Sequence, residues 1–242
     1  MTAPKPVPPA FDSHAGSYEA GCMRGLRVSG ESKEFFARGR VAFLRSWWDR
    51  HRPSEPERVV DYGCGIGDVC ALLAEAFPAA RIEGLDPSTK CVQRAVERYG
   101  SPRVSFSVLG EVEQSDAEPA DLVHLNGVVH HVDPGDRPQL FAAFRRRVAP
   151  SGVVAVFENN PLNLGTRIVM ARIPFDRDAI PVAPWEMRRR LRAAKMRPVE
   201  TGYLFYFPRF LRALRPLERF LLRVPLGAQY CIIAVPTVLA DV

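Results

Sequence analysis

The residues with the clearest chemical meaning form a glycine-rich segment at positions 59–68, Val-Val-Asp-Tyr-Gly-Cys-Gly-Ile-Gly-Asp. Gly63, Gly65 and Gly67 stand at alternate positions, so the backbone can turn tightly and come close to a ligand. A helix that starts directly after such a turn presents unpaired N–H groups to that ligand. The segment therefore predicts a site for a nucleotide-type ligand.

A second candidate group follows nineteen residues after Gly67, in the segment Gly-Leu-Asp-Pro-Ser at positions 84–88. Asp86 and Pro87 stand where a predicted strand ends. A carboxylate in that place can accept hydrogen bonds from both hydroxyls of a ribose. The alternative is that Asp86 caps the following helix, and the glycines upstream favour the ribose.

The charges near the glycines separate two ligand classes. Folds that bind nicotinamide dinucleotides prefer G-x-G-x-x-G, whereas Asp68 stands at the third glycine position here and Asp61 lies two residues before Gly63. Two carboxylates would repel a pyrophosphate. S-adenosylmethionine (SAM) has no phosphate and carries an ammonium and a sulfonium, so the pattern favours SAM.

With these features the chain resembles the class I SAM-dependent methyltransferases, whose first motif looks like D-x-G-C-G-x-G and whose second strand ends in an acidic residue. The similarity runs from residue 58 to about 160, through 121–132 at the fourth strand and 147–153 before the fifth. It implies a methyltransferase with a Rossmann-like α/β fold, a doubly wound seven-stranded mostly parallel sheet.

The same resemblance implies roles for individual residues around SAM. Leu-Gly-Glu-Val at 109–112 departs from the Gly-Asp that the family usually has after its third strand, and Tyr18 has the alternative role of packing in a helical cap. By position, the methionine part falls to Asp61, Gly63, Cys64, Gly65 and Gly67, the ribose to Asp86 and Pro87, the adenine to Glu111 and Val112, the amino group to the Asn126 carbonyl, and closure over SAM to Tyr18.

Two histidines follow the predicted fourth strand, at the sheet edge where ligands bind in such folds. Methyl transfer from a sulfonium depends on alignment and exclusion of water, and it needs a base only if the acceptor loses a proton. We predict that His130 is this base. The alternative is that His130 lines the site while His131 anchors the loop. We expect no metal site.

The elements that must position these groups are visible from residue 58 onward, where short β-branched runs alternate with helical stretches of about ten residues. Such alternation predicts parallel strands joined by right-handed crossovers. The predicted strands are 58–62, 81–86, 103–109, 120–126, 152–158, 199–206 and 229–235.

We expect two regions in the chain. Residues 1–56 would form a disordered tail and an N-terminal helical cap, helical from Phe11 to Trp48. Residues 57–242 would form the SAM-binding methyltransferase domain, with a loop-rich insert at 159–183, a C-terminal amphipathic helix and a last strand. We interpret 158–163, where the predicted fifth strand meets the insert, as shaping the acceptor pocket or making a turn.

The segment from Phe207 to Arg223 places apolar side chains on one helical face and arginines on the other. We predict that it packs on the sheet with a kink at Pro216, the alternatives being a lid or a peripheral membrane contact. Residues 161–242 hold 14 basic and 6 acidic side chains, which suits an anionic partner or reflects an arginine-rich composition. The aromatic residues Tyr203, Phe205, Tyr206 and Phe207 alternate as in a buried strand and not as in a stacking platform, which argues against nucleic acid as a partner.

The composition is that of a globular protein, with 242 residues, 47% hydrophobic and 25% charged, which excludes a disordered or fibrous chain. The sequence has no apolar run long enough for a bilayer and no signal-peptide pattern, so we expect a cytoplasmic protein. Five scattered cysteines without a Cys-x-x-Cys pair predict reduced thiols.

The sequence thus predicts a SAM-dependent methyltransferase with a small-molecule acceptor, either a secondary metabolite or a lipid-linked or phosphorylated compound. An anionic acceptor suits the basic C-terminal third. The alternatives are a nicotinamide-dependent oxidoreductase, a nucleic-acid methyltransferase and a non-catalytic SAM-binding protein.

Overall fold

The computed structural model describes residues 25–26, 29–109, 118–173 and 179–237. Three of the predicted site residues, Tyr18, Glu111 and Val112, lie outside these ranges, and their roles stay predictions.

The described chain alternates strands and helices from residue 58, as the sequence predicts. Short 3-10 segments cover Val129–His131 and Arg209–Leu217. The strands are β1 (Arg58–Tyr62), β2 (Arg81–Asp86), β3 (Val104–Val108), β4 (Ala120–Asn126), β5 (Val148–Asn159), β6 (Met196–Leu204) and β7 (Gln229–Pro236), and the helices are α1 (Lys33–His51), α2 (Asp68–Ala76), α3 (Thr89–Tyr99), α4 (Arg137–Arg147), α5 (Leu164–Arg172), α6 (Pro184–Ala193) and α7 (Glu218–Leu221).

The strands form one sheet in the order β3-β2-β1-β4-β5-β7-β6. Strands β1 to β5 pair in parallel, and β7 runs antiparallel to both β5 and β6. The strand order reverses between β1 and β4, which opens a crevice at the carboxyl ends of these two strands. The predicted doubly wound, mostly parallel seven-stranded sheet is confirmed.

Apolar layers cover both faces of the sheet, because successive residues of a strand point to opposite sides. Val59 belongs to the layer that includes buried residues of α1 and α2, and Val60 to the layer that includes those of α4 and α6. Both layers support the strands behind the crevice, so the loops at its edge start from fixed positions.

Helix α1 begins later than the predicted helical stretch. Gly30 sits in a turn with φ of +71°, and the Ser32 side chain then caps α1 by accepting the N–H of Phe35. The part of the predicted helix before Gly25 lies outside the described residues. The turn at residues 29–30 separates α1 from what precedes it, because its left-handed backbone cannot continue a helix.

The structure adds one element to the predicted C-terminal third and contradicts the prediction at another. The 159–183 insert contains a helix, α5, which the Asn163 side chain caps by accepting the N–H of Thr166. The 207–223 segment is not one amphipathic helix packed on the sheet: it forms a 3-10 segment with Pro216 inside and then the short α7, and neither has a buried residue. Proline removes a backbone donor and its ring blocks a regular helix, which accounts for the break.

Within the described ranges, none of the helices has both the length and the apolar character that crossing a bilayer requires. The four cysteines that these ranges include are buried and carry free thiols.

Candidate active site

The glycine loop after β1 has the tight backbone that its sequence predicts. Gly63, Gly65 and Gly67 have φ of +80°, +55° and +85°. A Cβ at Gly67 would lie 2.9 Å from the ring of Phe106 and 3.0 Å from Cβ of Ala95, so α2 can approach the sheet only with glycine here. A Cβ at Gly65 would meet no atom within 4 Å, so open space lies above this part of the loop.

Asp86 ties the end of β2 to this loop. Its Oδ2 accepts the N–H of Gly65 at 2.8 Å, and its Oδ1 accepts the N–H of Ser88 at 2.9 Å. Ser88, not Asp86, caps α3, so the alternative helix-cap role belongs to the serine. Since a carboxylate oxygen can accept more than one hydrogen bond, this group also suits a ligand hydroxyl next to Gly65.

Asp61 makes its contacts in the core below the loop. Asp61 and His124 lie in register on β1 and β4, with 2.7 Å between Oδ1 and the histidine Nδ1, and both are buried. Cys70 donates its thiol hydrogen to Oδ2 at 3.4 Å, and burial is the main reason that the pKa of Cys70 lies well above its ordinary value. The predicted contact of Asp61 with the methionine part stays a prediction.

Asp68, which the sequence offers as a second charge against a pyrophosphate, is neutralised. Its carboxylate forms a 2.6 Å ion pair with Lys33 and accepts the Tyr99 hydroxyl at 2.8 Å. Burial raises the pKa of Asp68, but these two partners outweigh it and hold the pKa below its ordinary value. The charge argument against a dinucleotide is therefore weaker than the sequence indicates.

His130 pairs with a carboxylate from the neighbouring strand. Its Nδ1 lies 2.5 Å from Oε2 of Glu158, at the end of β5, and the N–H of Val129 donates to Oε1 at 2.8 Å. Only 3% of the His130 side chain and 1% of the Glu158 side chain are exposed. Burial raises the pKa of Glu158, but the His130 ring and the Val129 N–H outweigh burial and hold it below its ordinary value.

A cavity of about 400 Å³ opens beside this pair, at the carboxyl end of β4. His130 and His131 line it, as do Asn126 and Gly127 where β4 ends. Asn159 and Asn163, from the 158–163 segment singled out in the sequence, line it too. The other aromatic and polar members of the wall include Phe35, Phe36, Arg40, Phe205, Phe207, Phe210 and Gln229.

Phenylalanines build one wall of this cavity. The ring of Phe205 packs edge-on against Phe36, with 4.9 Å between centroids, and lies 5.9 Å from Phe35. Phe205 has φ of +63°, an unfavourable backbone for a side chain of this size, and a Cβ at Gly39 would lie only 2.5 Å from its ring. The strained backbone at Phe205 places an aromatic ring in the cavity wall.

Hydrogen-bonded polar groups occupy one corner of the cavity. The buried Arg40 donates from Nη1 to Oε1 of Gln229 at 3.0 Å, and Gln229 donates from Nε2 to Oδ1 of Asn159 at 3.2 Å. Two other charged groups of the wall are paired, Lys33 with Asp68 and Glu31 with Arg215. The cavity therefore suits a largely apolar molecule with one polar end.

The fold brings most of the predicted site residues to one edge of the sheet. Gly63, Cys64, Gly65 and Gly67 follow β1, Asp86 and Pro87 lie at the end of β2, and Asn126 ends β4, and these three strands are neighbours. Sequence reasoning missed Glu158 as the partner of His130. The available signal was an acidic residue at the end of an otherwise apolar strand.

The comparisons with known proteins decide the family. A family model described as a methyltransferase domain matches residues 36–213. The chain belongs to this methyltransferase family. The resemblance to class I SAM-dependent methyltransferases is confirmed, and enzymes of that class take their methyl group from SAM.

Similar methyltransferases extend this result. The chain is 36% identical over 109 residues to the trans-aconitate 2-methyltransferase of Streptomyces coelicolor, covering 43% of this chain and 35% of the relative. For the enzyme of the same name from Variovorax paradoxus, identity is 38% over 104 residues, covering 42% and 38%. The chain thus spans little more than a third of the length of these relatives.

A solved methyltransferase structure has the same fold. The magnesium protoporphyrin IX methyltransferase of Synechocystis PCC 6803 was solved with bound S-adenosylhomocysteine (SAH). It matches with a TM-score of 0.62 at 17% identity, and the match covers 94% of this chain and 98% of that chain. At this identity the match supports the architecture of the methyltransferase fold.

Proposed function

We propose that this protein transfers a methyl group from SAM to a small molecule bound in the cavity next to His130. The observation that carries the proposal is the His130–Glu158 pair, whose histidine lines that cavity beside the crevice at the end of β4. A histidine oriented by a buried carboxylate is a typical arrangement for a general base.

The residues at the crevice fit SAM. Open space above Gly65 leaves room for a ligand against the backbone, and the Asp86 carboxylate beside it can accept ribose hydroxyls. Asn126 ends β4 beside this crevice, and its carbonyl is the candidate partner of the SAM amino group. When bound, SAM supplies a methyl group on a positively charged sulfur. Asp61 would act from below the loop, by holding β1 and β4 in place and adding negative charge.

Glu158 sets the tautomer of the proposed base. Its carboxylate accepts a hydrogen bond from the Nδ1–H of the neutral ring, so the lone pair of that ring is on Nε2. His130 would take a proton from the acceptor as the methyl group is transferred, and Glu158 would stabilise the resulting imidazolium. This chemistry suits an acceptor that must lose a proton, such as a hydroxyl or an N–H group.

The cavity wall favours a mainly apolar acceptor over trans-aconitate. A polycarboxylate would need several available cations, whereas Lys33 is paired with Asp68 and Arg40 lies in one corner. Five phenylalanines supply much of the remaining wall. We therefore propose an acceptor with an apolar body and one polar or anionic end, a class that includes lipid-linked compounds.

Calorimetry tests the cofactor assignment. SAM and SAH should bind and NADH should not, and Asp86→Ala should weaken SAM binding by about 1–3 kcal/mol because charge-assisted hydrogen bonds are lost. Glu75→Ala, on the exposed side of α2, is the matched control and should bind SAM like the wild type. No SAM binding at millimolar concentration, or binding of NADH in its place, would contradict the proposal.

Mass spectrometry tests the reaction. Incubation with SAM and candidate amphiphilic acceptors should give SAH and a product heavier by one CH₂ unit. If SAM binds but no acceptor of this class gains a methyl group, the proposed reaction is wrong and a SAM-binding role remains.

A further inference from the structure

Residues 209–226, here called the 209–226 surface, expose large apolar side chains. The side chain of Phe210 is 80% exposed and that of Phe220 is 69% exposed. Leu214, Leu217 and Leu226 are exposed as well. Soluble proteins rarely leave so many large apolar groups in water along one segment unless the segment has a binding partner.

The same surface carries positive charge that the described chain does not neutralise. It has five arginines and one acidic residue, Glu218. Glu218 accepts the N–H groups of residues 206 and 207, and Arg215 is paired with Glu31. Arg212, Arg219 and Arg223 are exposed and form no ion pair with any residue that the structure describes.

Helix α5 extends this surface. The side chain of Leu164 is 71% exposed, and Ile168 and Arg167 are also exposed. The two elements are joined by a 2.7 Å hydrogen bond from Nδ2 of Asn163 to the carbonyl of Leu226. Apolar and basic side chains are therefore exposed on two connected elements.

Both elements also line the proposed acceptor cavity. Pro208 and Phe210 contribute to its wall from the C-terminal segment, and Gly165, Thr166 and Val169 contribute from α5. The exposed apolar side chains thus belong to the same two elements that border the cavity.

We propose that the 209–226 surface and the exposed side of α5 dock on an anionic lipid bilayer. Phenylalanine and leucine side chains enter the interface of a membrane, and arginines bind its phosphates while their aliphatic stems lie along apolar surface. Docking would bring the cavity next to the lipid phase. The link between docking and the acceptor cavity rests on the proposed function, whereas the docking itself does not.

The charges argue against two other occupants. A second copy meeting this surface through a twofold axis would bring like-charged arginines together, which opposes association. A nucleic acid would satisfy the arginines but leave the leucines and Ile168 against a polar backbone. An anionic bilayer satisfies both kinds of side chain.

Vesicle co-sedimentation of the full chain tests this inference. The protein should pellet with phosphatidylcholine vesicles containing phosphatidylglycerol, less with phosphatidylcholine alone, and less as salt is added. The triple variant Arg212→Gln, Arg219→Gln and Arg223→Gln should bind about 100-fold more weakly, since each basic residue at an anionic surface contributes about fivefold. The triple variant Arg189→Gln, Arg192→Gln and Arg197→Gln, exposed on α6 and β6, should bind like the wild type.

A second pair of variants tests the apolar part. Phe220→Ser should weaken vesicle binding, whereas Trp185→Ser, exposed on α6, should not. Three results would each overturn the inference. The first is no binding to anionic vesicles, and the second is an equal loss of vesicle binding in both arginine triple variants. The third is a dimer that Phe220→Ser dissociates, in a protein that does not bind vesicles. Vesicle binding is measured without SAM or acceptor, so it can fail while methyl transfer holds, and the reverse.

Discussion

Two buried histidine–carboxylate pairs have nearly the same geometry in this fold. In each, a histidine Nδ1 lies close to a carboxylate oxygen, at 2.7 Å in Asp61–His124 and at 2.5 Å in Glu158–His130. Their places differ. Asp61–His124 lies within the sheet, on the face covered by α2, whereas in the other pair His130 lies past the end of β4 and lines the cavity, with Glu158 behind it on β5.

The difference shows that the position on the sheet decides what such a pair can do. Inside the sheet, the Asp61–His124 pair links β1 to β4 below the glycine loop and contacts the Cys70 thiol, so it can support the loop but not receive a proton from an acceptor. At the carboxyl edge, the Glu158–His130 pair lies next to the cavity, where a substrate can reach it. Variants in each of the two pairs test this comparison.

The largest effect is expected on stability, in the pair within the sheet. His124→Leu should lower the free energy of unfolding by about 3–5 kcal/mol, because the buried Asp61 carboxylate loses its histidine partner. Urea denaturation measures the change. The double variant Asp61→Asn with His124→Leu should recover part of the loss. An unchanged unfolding midpoint in His124→Leu would show that the pair contributes nothing.

The next effect is expected on turnover, in the pair at the cavity. His130→Ala should lower the rate of methyl transfer about 100-fold or more while SAM affinity stays at the wild-type value, because a base contributes to the chemical step and not to cofactor binding. His131→Ala, at the neighbouring wall position, should have a smaller effect on the rate. A near-normal rate in His130→Ala would reduce this residue to a lining role.

A pH-dependent effect should distinguish the Glu158 carboxylate. Its pKa in the folded protein is lowered from 4.5, so the stability it provides is present above about pH 4.5 and is lost as the pH falls through the folded-state pKa. Glu158→Gln should therefore be less stable than the wild type at neutral pH, and the difference should shrink below pH 4.5. Urea titrations across this range measure it, and a constant difference would contradict the assignment.

The smallest effect is expected for the thiol beside Asp61. Cys70→Ala should cost about 0.5–1 kcal/mol of stability more than Cys231→Ala, because both lose a buried sulfur but only Cys70 donates to a carboxylate. Thermal unfolding of the two variants gives the difference. Equal losses would mean that the 3.4 Å contact adds no stability.

Local sequence patterns predicted the central elements well. The bounds of β1, β2 and β4 agree with the prediction residue by residue, because short β-branched runs are encoded by neighbouring side chains. The pattern failed for 207–223, where helical spacing is present but Pro216 and the lack of a covering surface prevent a packed helix. It also missed α5, whose exposed apolar residues give no clear amphipathic period.

By itself, the sequence determined the glycine loop, the acidic end of β2, the alternation of strands and helices from β1 to β5, and hence the methyltransferase family, since each of these depends on residues close together in the chain. Only the tertiary structure decided that Glu158 meets His130 rather than solvent, that Asp61 turns to His124, and that α1, α5 and the segment after β6 enclose one cavity. Such contacts join residues far apart in sequence, and side-chain periodicity within one element carries no information about the element packed against it.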